Sequence, residues 1–193
     1  MDNNINSNHA GQNGHNNHNI NYDRESNILV IDDDQTLLKF FKIHLNKFFS
    51  KVVVVHSAMD GMAVLKEKKF DLVISDIRMP RVDGLQLITK VKKVDITIPV
   101  FLISGAMLTD EQNELVKVKA DGYLRKPFSV DQLHDFIETG LRVREIYKNM
   151  YKLLPDKQKL KKLMKAGASV KNIKDDNLKH EVEKLSQELK KVS

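Results

Sequence analysis

Short apolar runs alternate with amphipathic stretches from Ser26 to about residue 142 of this 193-residue chain. Ile28 to Ile31, Val52 to Val55, Leu72 to Ile74 and Val100 to Ile103 are runs of strand length, rich in β-branched residues and without polar alternation, as in strands covered on both faces. The spacing predicts strands near 27–31, 51–55, 71–75, 99–103 and 122–125, and helices near 35–48, 58–68, 84–93, 109–119 and from 129 onward. Five βα units in succession imply an α/β fold, a five-stranded doubly wound parallel sheet. The run Val52 to Val55 is the least distinctive strand. The stretch 109–119 is the least apolar helix, with Lys117 and Lys119 flanking Val118, so that face is expected to meet solvent or a partner.

Two apolar runs end in acid. Leu72, Val73 and Ile74 lead to Ser75 and Asp76, and Ile28 to Ile31 lead straight into Asp32, Asp33 and Asp34. Ligands of open α/β sheets bind outside the carboxyl ends of the strands, so these carboxylates lie where chemistry is usually done. Taken alone, Asp76 reads equally as a turn cap, because Pro80, Asp83 and Gly84 are turn and helix-start residues. If the two strands are parallel neighbours, at least three carboxylates converge at one edge. Their mutual repulsion calls for a cation, and all-oxygen ligation with positions left for water suits magnesium.

The ordered motifs ILVIDDD, LVISDIRMPRVDG, PVFLISGA and DGYLRKPF resemble the receiver domain of bacterial response regulators, over about Asn27 to Arg142. The resemblance implies the flavodoxin-like strand order 2-1-3-4-5. It also implies that Asp76 is the phospho-accepting aspartate, Asp32 and Asp33 the acidic pair, Ser104 the hydroxyl switch residue, Tyr123 the aromatic switch residue and Lys126 the lysine of the site. Asp32, Asp33, Asp76 and the backbone carbonyl of Arg78 would hold Mg2+, and the Lys126–Pro127 bond would be cis. The expected role is a phosphoacceptor in a two-component phosphorelay, assisting its own phosphorylation and dephosphorylation rather than acting as an enzyme on others. The implied donor is a sensor histidine kinase or phosphotransfer protein. Read without that frame, Ser104 is a helix-capping serine, Lys126 a surface lysine and Tyr123 a static strand residue.

Composition narrows the remainder. The chain has no cysteine, which excludes disulfides, thiol catalysis and thiolate metal sites. No apolar run approaches a membrane span and the N-terminus lacks a signal-peptide pattern, so the expected location is the cytoplasm. Residues 1–25 are rich in Asn with few large apolar residues and are expected to be a disordered tail. His9, His15 and His18 in that tail fit no rigid metal site.

Residues 141–193 carry 15 Lys and Arg against 7 Asp and Glu, while the rest of the chain carries 17 against 19, so the basic balance belongs to the C-terminal part. Residues 143–193 are expected to form a basic helical extension. It would comprise a continuation of the last helix to about Leu154, stopped by Pro155, a short helix from Lys157 to Lys165 ending at Gly167, and a final helix. Leu178, Val182, Leu185, Leu189 and Val192 are spaced 4, 3, 4 and 3, a heptad seam expected to pack on its own chain, with homodimerisation a second outcome. Two output classes follow: a module signalling to an unknown downstream protein, or a compact transcription regulator with an unrecognised DNA-binding tail. Asp175 and Asp176, which would face phosphate in the second, make DNA binding the weaker expectation.

Overall fold

The computed structural model describes residues 24–80, 84–105 and 107–153, together with His180, Glu183, Lys184, Ser186 to Glu188, Lys190 and Lys191. The expected N-terminal tail with its three histidines, the short helix 157–165, Gly167 and all five residues of the heptad seam lie outside the described residues. Strands β1 (Asn27–Ile31), β2 (Lys51–Val55), β3 (Leu72–Asp76), β4 (Val100–Ser104) and β5 (Gly122–Arg125) alternate with helices α1 (Gln35–Leu45), α2 (Ala58–Glu67), α3 (Gly84–Val94), α4 (Asp110–Lys119) and α5 (Val130–Leu153). The sheet is all parallel in the order β2-β1-β3-β4-β5.

Helices cover both faces because successive strand residues point to opposite sides. Ile28 and Val30 join Phe41, Ile74, Phe101, Leu133 and Ile137 in the layer under α1 and α5. Leu29 and Ile31 join Leu65, Leu87, Val91, Leu102 and Val116 under α2, α3 and α4. Every residue of β3 and β4 is buried, which explains the apolar runs that end only at Ser75, Asp76 and Ser104. The edge strand β5 alternates instead.

Helix α1 departs from its expected form, while α4 keeps its expected exposed, weakly apolar face. The pattern predicts α1 to residue 48, but it ends at Leu45, where Phe48 donates its amide to Leu45 O at 2.9 Å and the chain turns to bury Phe49. Helix α4 opens on a capping box between Thr109 and Gln112 and buries Val116, while Val118 is 76% exposed.

Helix α5 runs unbroken for 24 residues, through the expected domain boundary at 142. Val143, Ile146, Tyr147 and Met150 lie in the same buried layer as Phe101 and Leu133. Polar groups pin this second half to the amino ends of the strands. Arg144 reaches Asp95 at 3.1 Å, Asp71 at 3.4 Å and the Thr97 hydroxyl, and Lys148 reaches Asp71 at 3.3 Å. The Tyr147 hydroxyl donates to Asp121 at 2.5 Å, and the Lys92 ammonium lies against the same carboxylate at 2.8 Å.

These contacts carry a pH dependence. Burial pushes the carboxyls of Asp71 and Asp95 up, but amide donation from Asn27 and Thr97 and the charges of Lys148 and Arg144 outweigh it and hold both below the usual range. A carboxyl depressed in the folded state adds stability that is complete above its unfolded pKa of about 3.9 and is lost as pH falls through the folded value. The share of the urea midpoint owed to Asp71 and Asp95 is therefore expected to be flat near neutrality and to fall below about pH 4. Arg144→Met should make that fall shallower, and an unchanged slope would remove Arg144 from the account.

Gly84 opens α3 against β3, its amide donating to Ile77 O at 2.9 Å. A Cβ here would lie 2.5 Å from the Asp76 carbonyl oxygen and 3.1 Å from Ile77 Cα, backbone atoms that cannot swing aside. Gly84→Ala is expected to cost about 1–3 kcal/mol in chemical denaturation, the range for an overpacked site.

Candidate functional site

The register of β1 against β3 builds the site. Ile31 pairs with Ser75, so Asp32 and Asp76 emerge side by side at the carboxyl edge of the sheet. Both are buried, at 2% and 7% exposure. Helix α1 begins immediately after, and its N-cap is Asp34, which accepts from Thr36 N at 2.8 Å and Leu37 N at 3.2 Å. Capping engages Asp34, the third acid of the run, while Asp33 between it and Asp32 is exposed.

Lys126 follows β5, and its amide donates to Ser104 O at 2.8 Å. The Lys126–Pro127 bond is cis. The lysine ammonium donates to Asp32 Oδ2 at 2.7 Å and to Asp76 Oδ1 at 2.8 Å, spanning 94 and 50 residues of chain. The remaining oxygens are met by backbone: Asp34 N donates to Asp32 Oδ1 at 2.9 Å, and Arg78 N to Asp76 Oδ2 at 2.6 Å.

The electrostatics are those of two buried carboxylates sharing one cation. Burial alone would pull the Lys126 ammonium down, but its hydrogen bonds to Asp32 and Asp76 outweigh burial and hold it above the usual lysine range. For Asp32 burial is the largest influence and pushes its carboxyl up, aided by the charge of Asp76 and opposed by Lys126 and the Asp34 amide. The two directions pull differently on the protonation of one ion pair. The raised lysine is the firmer, because its ammonium has two short carboxylate contacts. The trio keeps a net negative charge, and a cation bound nearby would relieve it.

Ser104 ends β4 at 1% exposure, with its strand neighbour Leu102 in register with Tyr123 of β5. Tyr123 itself is 38% exposed. The geometry thus brings Asp32, Asp76 and Lys126 into direct contact, sets Ser104 beside them through the Lys126 backbone, and leaves Asp33 and Tyr123 facing outward. Among the described residues no three His, Asp or Glu side chains are grouped so as to hold a metal ion. The hard oxygens of Asp32 and Asp76 with their uncompensated charge nevertheless fit an oxygen-preferring divalent cation, with Asp33 and a backbone carbonyl in sequence reach.

Sequence reasoning overlooked one side chain here. The Arg78 guanidinium donates from Nη2 to Met107 O at 2.8 Å, tying the loop after β3 to the loop after β4. Only its backbone carbonyl had been singled out, and no pattern in the chain marks the distant carbonyl it reaches.

Comparison with known proteins places these features. Residues 28–138 match the family described as the response regulator receiver domain. The transcriptional regulatory protein GlrR of Escherichia coli K12 is 32% identical over 118 residues, 61% of this chain and 27% of GlrR. RprY of Bacteroides fragilis, also named a transcriptional regulatory protein, is 29% identical over 123 residues, 64% of this chain and 52% of RprY. The chain thus spans between a quarter and about half the length of these relatives. A receiver domain from Clostridium thermocellum superposes with a TM-score of 0.58 at 28% identity, covering 63% of this chain and 98% of that one. One from Methanospirillum hungatei, described as CheY-like, gives 0.58 at 26%, covering 63% and 97%.

Proposed function

The chain belongs to the response regulator receiver domain family, and from that premise we propose that Asp76 accepts a phosphoryl group from a phosphohistidine of a sensor kinase or phosphotransfer protein. An oxygen of the Asp76 carboxylate attacks phosphorus, the P–O bond forms as the P–N bond breaks, and the imidazole leaves and takes up a proton. The product is an acyl phosphate. The observation that carries this reading is the ammonium of Lys126 bridging Asp32 and Asp76 at 2.7 and 2.8 Å. After transfer the lysine can keep Asp32 and turn its other donors to a phosphoryl oxygen, a stronger charge-assisted pair than the one it gives up.

Ser104, buried beside Lys126, supplies a hydroxyl to a second phosphoryl oxygen, and Tyr123 follows it inward as the switch. Asp33 and Asp76, with Asp32 directly or through water and the Arg78 carbonyl, are the residues that would hold Mg2+. That ion, when bound, would neutralise charge on the equatorial oxygens of the transition state. The chain's own contribution is position: buried carboxylates fixed by backbone amides, and one ammonium already at the reacting group.

Incubation with a small phosphodonor is expected to give one hydroxylamine-sensitive phosphoryl group per chain. Chelating divalent cations should slow it by roughly 10²-fold or more, the scale of losing one preorganised electrostatic stabiliser. Asp33→Ala should weaken magnesium binding more than Ser104→Ala does. Labelling at an unchanged rate in chelator would assign the carboxylates to something else.

For the output, a protein partner is the first reading. Regulation of transcription is the second, and it is favoured by the likeness to GlrR and RprY, both described as transcriptional regulatory proteins. Affinity for random duplex DNA that falls steeply with salt would select the second.

A further inference from the structure

The phosphoacceptor reading of Asp76 uses the backbone of Arg78 and leaves its guanidinium unexplained. We propose that the Arg78 side chain is a latch read by the phosphoryl group: at rest it holds the loop after β4 through Met107 O, and phosphorylation of Asp76 draws it away and frees that loop. The inference rests on the phosphoacceptor reading and adds the means by which charge at Asp76 reaches the loop.

The geometry has three parts. The Arg78 amide donates to Asp76 Oδ2 at 2.6 Å, so the arginine backbone is fixed beside the reacting carboxylate. Its Nη2 donates to Met107 O at 2.8 Å, and Met107 lies three residues beyond Ser104. The Met107 side chain is 80% exposed, so burial does not hold this point of the loop. Gly105 lies against the Lys126 stem, where an added Cβ would sit 3.6 Å from Lys126 Cβ and Cδ, so the segment after β4 starts in contact with the lysine of the site.

Chemistry sets the direction of the switch. A guanidinium has five donors in a planar fork, and the resting acceptor for Nη2 is a neutral carbonyl. A phosphoryl group on Asp76 brings a charge of about −1.5 to −2 with three strong acceptor oxygens. Charge-assisted bonds to such oxygens are roughly twice as strong as neutral ones and fit the fork bidentately. The charged phosphoryl oxygens thus compete with the neutral Met107 carbonyl for the same guanidinium, and the stronger acceptor biases the element between two states.

The test uses the full chain with magnesium and beryllofluoride as the phosphoryl mimic, read by NMR. Fluorine spectra report whether the mimic occupies Asp76, and the Met107 carbonyl carbon and the amide exchange of residues 107–109 report the latch. In the wild-type chain the mimic should shift the Met107 carbonyl to the value Arg78→Ala shows without it, and raise exchange about threefold or more. Arg78→Ala should show the raised exchange at rest and respond little to the mimic. Arg78→Lys, which keeps charge and loses the fork, should lie between. A resting Arg78→Ala chain with wild-type carbonyl shift and exchange overturns the latch, as does a wild-type chain in which bound beryllofluoride moves neither. If the fluorine spectrum shows no bound mimic, the phosphoacceptor reading fails and the latch falls with it.

Discussion

Asp76→Asn is expected to cut phosphoryl incorporation by roughly 10³-fold or more while leaving the chain as stable as the parent or slightly more so. An amide oxygen is not a nucleophile at neutral pH, and no other carboxylate occupies its place. Asp32 is already engaged by Lys126 and the Asp34 amide, and Asp33 is exposed. The stability half of the expectation follows from charge. Asp76 raises the carboxyl of Asp32, so its removal relieves a like-charge contact, while Lys126 keeps Asp32 as partner. A gain of up to about 1 kcal/mol is the scale for such relief at a partly hydrated site. Intact mass after treatment with a small phosphodonor measures the first half, and urea denaturation the second. Labelling of the variant at the parental level would show that another group accepts phosphate.

The other large effect concerns where the domain ends. A chain stopped after Arg142 is expected to lose on the order of 5 kcal/mol or more relative to one stopped after Leu153, comparable with the whole stability of a domain of this size. The family match ends at 138, and sequence reasoning placed the boundary at 142. The removed turns bury Val143, Ile146, Tyr147 and Met150, each bringing roughly 1.5–3 kcal/mol against the cost of ordering the helix. Cutting there also strips Asp71 and Asp95 of Arg144, and Asp121 of the Tyr147 hydroxyl. Denaturation midpoints of the two truncated chains compare directly, and equal values would show that the second half of α5 contributes nothing to the fold.

The legible parts of the chain were those whose signal is local. The buried strands announce themselves as unbroken apolar runs, and Asp32 and Asp76 stand out because such runs end abruptly in acid. The order of the strands came from resemblance, since periodicity does not say which strand neighbours which. The end of α1 was misplaced because Phe48 and Phe49 continue an apolar spacing after the helix has stopped, where a turn buries Phe49 and half-buries Phe48 instead. What escaped altogether depends on long separations. Arg144 meets Asp71 across 73 residues and Arg78 meets Met107 across 29, and an arginine in sequence looks the same whether it will face solvent or a distant carbonyl. The heptad seam from Leu178 to Val192 stays an expectation, its residues lying outside those described.

The clamp on α5 has a mechanical side. Arg144, Tyr147 and Lys148 act as a fulcrum set off-centre in a rigid rod. From Val130 to Arg144 the helix extends about 21 Å, and from Lys148 to Leu153 about 8 Å, at 1.5 Å per residue. A sideways push applied at the carboxylate end is therefore geared down to a little over a third of its size at Leu153. Displacement is a poor currency for such a lever. Rotation about the rod's own axis has to strain the same ties to Asp71, Asp95 and Asp121, so the clamp holds α5 against twist as well as sway.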